Sequence, residues 1–189
     1  MTPDFATQRT IMVESQVRVA DVTDYAILDA MRAVARETLL PADKAYLAYA
    51  DVEVAYAPGR WLLKPRDVAK LLQAIRPRAS ERALAIAAPY AAAVMEAMGL
   101  VVTRRDDDLT APEKDYDVVL CEGAVCEVPG AWREALAQPG GRLGVVVRRG
   151  PVGRAQLYVP ADGGVGARDL FDCAPPIMAG FGPKRAFAF

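Results

Sequence analysis

The sequence predicts an α/β fold, a twisted and mostly parallel β-sheet with helices on both faces. Short apolar runs suited to buried strands alternate with segments whose apolar residues recur at helical spacing. The 189 residues suit one domain and are enough to bury a core. We therefore expect a single domain over residues 1–189, with an N-terminal helical part (1–55) and an α/β core (56–189).

The first fifty residues predict helices that pack against the core. Capping side chains at residues 21–24 precede apolar residues that follow helical spacing over 27–35, until Pro41 ends the pattern. Residues 5–19 form a weaker helix candidate. Further along the chain, an i, i+3, i+4, i+7 stripe predicts an amphipathic helix that contains Val68, Leu71, Leu72 and Ile75.

Apolar runs predict the strands of the core. Four of them are expected near residues 83–88, 100–104, 116–121 and 142–148. Pro89 can begin a helix after the first strand, and Gly99 can end it. Residues 132–137 (WREALA) predict a short helix. The C-terminal part predicts further strands, at 155–160 (AQLYVP) and 186–189 (AFAF).

Composition excludes several classes of protein. Lys plus Arg number 23 against 24 Asp plus Glu, so no basic excess favours nucleic acid. We expect neither a membrane span nor a signal peptide. Three cysteines without CxxC spacing suit reduced thiols and a cytoplasmic location. The chain has no histidine, which removes the Ser-His-Asp triad and His-ligated zinc, and we expect no metal site.

Several blocks of the sequence resemble one known family. The stretch 116–149, YDVVLCEGAVCEVPGAWREALAQPGGRLGVVVRR, resembles the fourth and fifth strands of protein-L-isoaspartate O-methyltransferases. MVESQVR at 12–18, V-x-RE-x-LLP at 34–41 and GPVGRAQLYV at 150–159 are similar to the same family, in the same order. The resemblance covers nearly the whole chain. It implies a Rossmann-like class I methyltransferase fold that uses S-adenosylmethionine and has antiparallel C-terminal strands.

The resemblance places the family's cofactor loop after the first core strand. There the family has an aspartate followed by a G-x-G-x-G loop, whose glycines let the backbone approach the ligand. Here no glycine lies between Arg60 and Met98, and methyl groups and a proline ring fill the space. We therefore expect a packed turn and no cofactor site at the degenerate loop, whose residues are Ala85 (at the acidic position), Ala87, Ala88, Pro89 and Tyr90.

The second strand and its surroundings also depart from the family pattern. The resemblance implies a ribose-binding acid near Arg105, and Asp106 follows at once, so a shift of one residue would restore a carboxylate. The interval from Val102 to Tyr116 is too short for the strand-helix unit that the family carries there. We expect that unit to be trimmed, which leaves the second strand near an edge of the sheet. Either the polar stretch 104–114 folds back to shield this edge, or a second copy of the chain covers it.

The family's catalytic serine is missing as well. It lies in a G-x-x-I-S-x-P block, and residues 59–65 of this chain read GRWLLKP. Gly59 and Pro65 match the block, so Leu63 stands at the serine position. Leucine can neither donate nor accept a hydrogen bond, so we do not expect the isoaspartyl repair reaction.

The leading hypothesis is a relative that has lost S-adenosylmethionine binding and catalysis and acts as a binding or assembly module. Its partner is an unidentified protein or a second copy of the chain. The alternative is an active S-adenosylmethionine-dependent protein carboxyl O-methyltransferase with an unusual cofactor pocket. Glu122 would then be the polar group near the acceptor, although a cap on the following turn is its simpler role. A third class is a small-molecule binder with Trp61 and Tyr90 lining the crevice.

Two further groups of residues carry expectations. Cys121 continues an apolar strand and predicts a core thiol, whereas Cys126 predicts a surface loop. Arg148, Arg149 and Arg154 suit either a solvated strand edge or contact with an anionic partner.

Overall fold

The computed structural model describes residues 4–109 and 114–183. The helices of this part are α1 (Phe5–Met12), α2 (Tyr25–Ala33), α3 (Pro65–Ile75), α4 (Pro89–Ala97) and α5 (Gly130–Glu134). The strands are β1 (Val54–Ala57), β2 (Arg60–Leu62), β3 (Arg82–Ile86), β4 (Val101–Arg105), β5 (Val118–Val125), β6 (Arg142–Arg148), β7 (Gly153–Ala161) and β8 (Gly164–Cys173). Strands β1 and β2 form a separate antiparallel hairpin.

The other strands form one sheet in the order β4-β3-β5-β6-β7-β8. Strands β4, β3, β5 and β6 are parallel, and β7 and β8 each run antiparallel to the preceding strand. The sheet is therefore the mostly parallel one that the sequence predicts, and its C-terminal antiparallel pair is confirmed. Residues 186–189, predicted as a strand, lie outside the described residues.

The predicted parallel strands are confirmed with shifted ends. Strand β3 ends at Ile86 and not at Ala88, because Ala87 adopts a φ of 44° and turns the chain towards α4. Positive φ favours glycine, so Ala87 holds this turn at some conformational cost. Strand β5 continues past Cys121 to Val125, and every residue in it is buried. This extension carries Glu122 into the interior.

The two faces of the sheet are covered unequally. Helices α3 and α4 share one hydrophobic core with α2, on one face. On the other face, a smaller core gathers around Trp132 of α5 with Leu109 and Tyr116 from the connection before β5. Helix α5 ends at Glu134, earlier than predicted, because Leu136 forms a bridge with Tyr116. Much of the second face therefore lies beyond the reach of a helix.

The N-terminal part packs on the face that carries α3 and α4. Met12, Ile27 and Met31 are fully buried in the same core as those helices. Helix α2 begins after Asp24, whose side chain accepts a hydrogen bond from the amide of Ala26. It ends at Ala33, before Pro41, and short 3-10 turns follow. The weaker candidate at 5–19 is α1 continued by a π-helical turn.

Strand β4 lies at one edge of the sheet. Among the described residues between Arg105 and Val118 there is no helix, and the pairing there is limited to the bridge at Tyr116. The fold therefore lacks a strand-helix unit beyond β4 within the described residues. No helix in residues 4–109 or 114–183 is long and apolar enough to cross a membrane.

Candidate functional site

The candidate site lies where the carboxyl end of β3 meets the start of α4, beside β5. Open α/β sheets bind ligands at this kind of place, outside the carboxyl ends of their strands. In this chain the junction is filled. Ala87, Ala88 and Tyr90 are at most 1% exposed, and Pro89 occupies the first turn of α4. The turn is a packed part of the core.

Glu122 projects from β5 into this junction and is fully buried. Its Oε2 accepts hydrogen bonds from the backbone amides of Tyr90 (3.1 Å) and Ala91 (3.2 Å), and its Oε1 accepts one from the amide of Leu63 (3.2 Å). The first amides of a helix have no partner within it, and the positive end of the helix dipole favours an anion there. Glu122 is thus an internal cap for α4.

Arg36 brings a positive charge to the same cluster from the N-terminal part. Its Nη1 lies 3.8 Å from Oε1 of Glu122, and its guanidinium lies over the ring of Tyr90 at 4.4 Å. Its Nε donates to the carbonyl of Ala48 (2.8 Å), and its Nη2 donates to the carbonyl of Leu63 (2.6 Å). Arg36 therefore connects the N-terminal part to both sides of the junction.

Burial dominates the ionisation of this cluster. It raises the pKa of Glu122 to about 7, although the charge of Arg36 and the three backbone amides act in the opposite direction. Burial lowers the pKa of Arg36 and raises that of Tyr90. A guanidinium stays protonated in proteins even so, because its ordinary pKa lies far above neutrality. A buried cation therefore faces a carboxyl group that titrates near neutral pH.

Comparison with known proteins gives the family. No protein-family model matches the chain. The protein-L-isoaspartate O-methyltransferase of Methylorubrum populi is 35% identical, over 79% of this chain and 82% of the relative. That of Methylorubrum extorquens is 34% identical, over 82% of this chain and 79% of the relative. This chain belongs to the protein-L-isoaspartate O-methyltransferase family.

Solved structures agree on the fold. A protein-L-isoaspartate O-methyltransferase from Plasmodium falciparum, in complex with S-adenosyl-L-homocysteine, superposes with a TM-score of 0.71 at 14% identity. The match covers 90% of this chain and 97% of that one. A second protein-L-isoaspartate O-methyltransferase superposes with a TM-score of 0.66 at 18% identity, over 94% of this chain and 67% of that one. The predicted Rossmann-like methyltransferase fold is thereby confirmed.

The structure brings most of the sequence-predicted residues of this family member together. Ala85, Ala87, Ala88 and Tyr90 surround the junction, and Leu63 contacts it through its backbone. The two residues at the expected ribose position lie beside this cluster, at the end of β4. Arg105 ends β4, where its carbonyl accepts a hydrogen bond from the amide of Ala87 (2.8 Å), and Asp106 is an exposed residue just beyond the strand.

Two predicted positions were wrong. Glu122 does not cap the turn that follows it; it caps α4, because β5 continues past it and turns its side chain inward. Cys126 is not on the surface: it is 8% exposed, and its Sγ lies 3.2 Å from the carbonyl oxygen of Arg148. Cys121 is fully buried, as predicted.

Arg36 is the residue of the site that sequence reasoning missed. The one indication in the sequence was its place in the V-x-RE-x-LLP block at 34–41, which resembles the family. Arginine is rarely buried without a partner, but nothing local marks this one as buried. Its partners are distant in sequence and become neighbours only when the N-terminal part packs on the core.

The residues at this junction do not fit S-adenosylmethionine. The resemblance implies that backbone amides of the first loop approach the methionine part of the cofactor. Here two amides at the start of α4 are bonded to Glu122, and Ala87, Ala88 and Tyr90 are buried and offer almost no surface to a ligand. Pro89 has no amide hydrogen to offer. In the described ranges no three His, Cys, Asp or Glu residues are grouped to hold a metal.

Proposed function

We propose that this family member does not bind S-adenosylmethionine, does not transfer methyl groups, and acts as a binding or assembly module for a protein partner. The observation that carries the proposal is the position of Glu122. Its carboxylate accepts the hydrogen bonds that a ligand at the start of α4 would need. The chain therefore completes its own helix end, and the family scaffold is stable without the cofactor.

The loss of binding should be large. A ligand would have to displace a carboxyl group that is held by three backbone amides and faced by Arg36. Each hydrogen bond to a charged group is worth about 1.5–3 kcal/mol, and each 1.4 kcal/mol is about a tenfold change in affinity. A ligand that binds relatives at micromolar concentration is therefore expected to need millimolar concentration or more.

Calorimetric titration with S-adenosylmethionine and with S-adenosylhomocysteine tests the loss of the cofactor. We expect no saturable heat from this chain, because the residues that would contact the ligand are buried. The Methylorubrum populi relative is titrated in parallel, as a control that the cofactor preparation is competent to bind. A dissociation constant below about 10 µM for this chain would overturn the proposal.

A methyl-transfer assay on the same protein tests the alternative, that the chain is an active methyltransferase. Methyl transfer to an isoaspartyl peptide is expected to stay at background, because Leu63 stands at the family's serine position and is itself fully buried. Methyl transfer above the buffer background would show that the chain is an active methyltransferase, even if calorimetry detects no cofactor binding.

We also propose that a second copy of the chain covers the edge strand β4. Among the described residues no strand pairs with its outer edge, an arrangement that favours pairing with another strand, and Val101 is 64% exposed. Light scattering at micromolar concentration should therefore give the mass of a dimer. A clean mass of 20.3 kDa, that of the single chain, would count against the dimer.

A further inference from the structure

A groove runs across the face of the sheet that α5 covers only in part. We call it the arginine groove. One portion, with a volume of about 570 Å³, lies between the connection from β5 to α5 and the segment 180–183. The other portion, of about 500 Å³, continues across the outer face of β6, β7 and β8. Both volumes fall in the range of ligand-binding clefts.

The groove follows from the alternation of β7 and the shortness of α5. Ala155 and Leu157 turn to the face that carries α3 and join its core. Their neighbours Arg154, Gln156 and Tyr158 turn the other way and line the groove. Helix α5 ends at Glu134, so it does not cover these side chains. A polar strip of sheet is left open beside the helix.

Positive charge prevails along the groove. Within residues 4–109 and 114–183, its charged lining residues are Arg133, Arg149 and Arg154 against Glu127. Arg149 is held in place by a hydrogen bond from its Nε to the carbonyl of Cys126 (3.1 Å), which uses one of its five N–H donors. Burial raises the pKa of Tyr158, and the positive charges of Arg133 and Arg149 partly oppose that rise. Both guanidinium groups line the second portion of the groove together with the phenol of Tyr158.

Arg154 contributes less of this positive charge. It lies 3.5 Å from Asp169 and 3.4 Å from Asp172, in ion pairs whose side chains are at least half exposed. Exposed pairs of this kind are weak, so an incoming carboxylate can compete for Arg154. Arg133 and Arg149, which line both portions, are the main attraction for an anion.

The first portion of the groove is apolar and well supported. Val128 and Phe181 form part of its wall. The ring of Phe181 packs against Trp132 with ring centres 5.4 Å apart, and its carbonyl accepts a hydrogen bond from the amide of Cys126 (2.9 Å). A ligand that fits the whole groove therefore has an apolar part beside an anionic part.

We infer that the arginine groove binds an acidic linear segment of a partner protein, with one apolar side chain beside Phe181 and carboxylates on Arg133 and Arg149. Charge complementarity and the apolar first portion together select this occupant. The inference rests on the proposed binding role. It uses a surface separate from the filled junction at α4, so the two proposals can fail independently.

Fluorescence anisotropy with a defined peptide tests the groove. The probe is a fluorescein-labelled peptide with one phenylalanine flanked on both sides by glutamates, and its control has glutamines in place of the glutamates. We expect binding at micromolar concentration for the glutamate peptide and roughly tenfold weaker binding for the control. Raising the salt concentration should weaken the first interaction more than the second.

Charge reversal locates the binding. Arg133→Glu and Arg149→Glu should each weaken binding of the glutamate peptide roughly tenfold. Arg168→Glu is the matched control, because Arg168 lies opposite Leu157 and therefore faces the other side of the sheet. Arg149 donates a hydrogen bond to the backbone, so the folding of Arg149→Glu is checked by circular dichroism. Arg133 is exposed on α5, and Arg133→Glu alone decides the test if Arg149→Glu does not fold.

Several results would overturn the inference. They are no anisotropy change up to about 1 mM peptide, equal affinity for the glutamine peptide, or an equal loss in Arg168→Glu. Equally tight binding of a single-stranded oligonucleotide of the same charge would also overturn it, since it would show charge attraction without peptide recognition. Saturable binding of S-adenosylmethionine would contradict the proposed loss of cofactor binding, but it would not contradict peptide binding in the arginine groove.

Discussion

Replacing Glu122 with alanine is expected to lower the free energy of unfolding at pH 7 by about 3 kcal/mol or more. The substitution leaves the guanidinium of Arg36 buried without its counter-charge. It also removes the acceptor from the amides of Leu63, Tyr90 and Ala91 and opens a cavity in the core. Urea unfolding followed by tryptophan fluorescence measures the loss, because Trp132 is fully buried in the native state.

Two controls separate this effect from a general sensitivity to substitution. Glu134→Ala removes an exposed carboxylate and should change the free energy of unfolding by less than about 0.5 kcal/mol. Glu122→Gln keeps the shape and one acceptor oxygen, so its loss should be intermediate. In a double-mutant cycle, Arg36→Met combined with Glu122→Gln should cost less than the sum of the two single losses. A loss within 1 kcal/mol for Glu122→Ala, roughly the average for any substitution, would show that the cluster contributes little.

The free energy of unfolding is expected to fall as the pH rises from about 4.5 to about 7. The carboxyl group of Glu122 has a pKa of 4.5 as its ordinary value and about 7 when folded, because burial disfavours its charged form. In this window the folded state binds the proton more tightly than the unfolded state. The stabilisation is therefore complete below pH 4.5 and is lost as the pH rises through 7. Its size is on the order of 3 kcal/mol.

A second carboxyl group acts in the same direction. Burial raises the pKa of Asp67 to about 6 from its ordinary 3.8, so its contribution is lost over a lower range of pH. Histidine side chains usually change charge in this pH range, but this chain has no histidine that could contribute. Urea unfolding at pH 5 and pH 8 should therefore report mainly these two groups, and Glu122→Gln should flatten the dependence. Stability that rises over this interval, or an unchanged dependence in Glu122→Gln, would contradict the assignment.

The sequence predicted the parts of the fold that depend on local pattern. Strands β3 and β5 are buried on both faces, so they appear as continuous apolar runs. The amphipathic stripe of α3 likewise predicted its buried residues, among them Val68 and Leu72. The ends of these elements were less predictable, because the bend at Ala87 and the bridge between Tyr116 and Leu136 depend on tertiary contacts.

The sequence singled out Glu122 as a polar group of the site but did not predict what it contacts. The missing glycines and the missing serine are visible along the chain, whereas the contacts of Glu122 with distant backbone amides are not. The amides that Glu122 caps lie 59, 32 and 31 residues away, at Leu63, Tyr90 and Ala91. No local pattern encodes such contacts. The inward direction of Glu122 followed from the unexpected length of β5, and the role of Arg36 followed from the packing of the N-terminal part.

The internal cap has a consequence for how the stability of this protein is regulated. A protein that is stabilised by a free ligand gains stability in proportion to the logarithm of the ligand's concentration, so its folding responds to metabolism. Here the stabilising carboxylate is part of β5, and its effective concentration at α4 is set by the chain and does not vary. Under the proposed function, the folded population is therefore independent of the cellular supply of a methyl donor. We expect such a scaffold to stay folded whether the methyl donor is scarce or abundant.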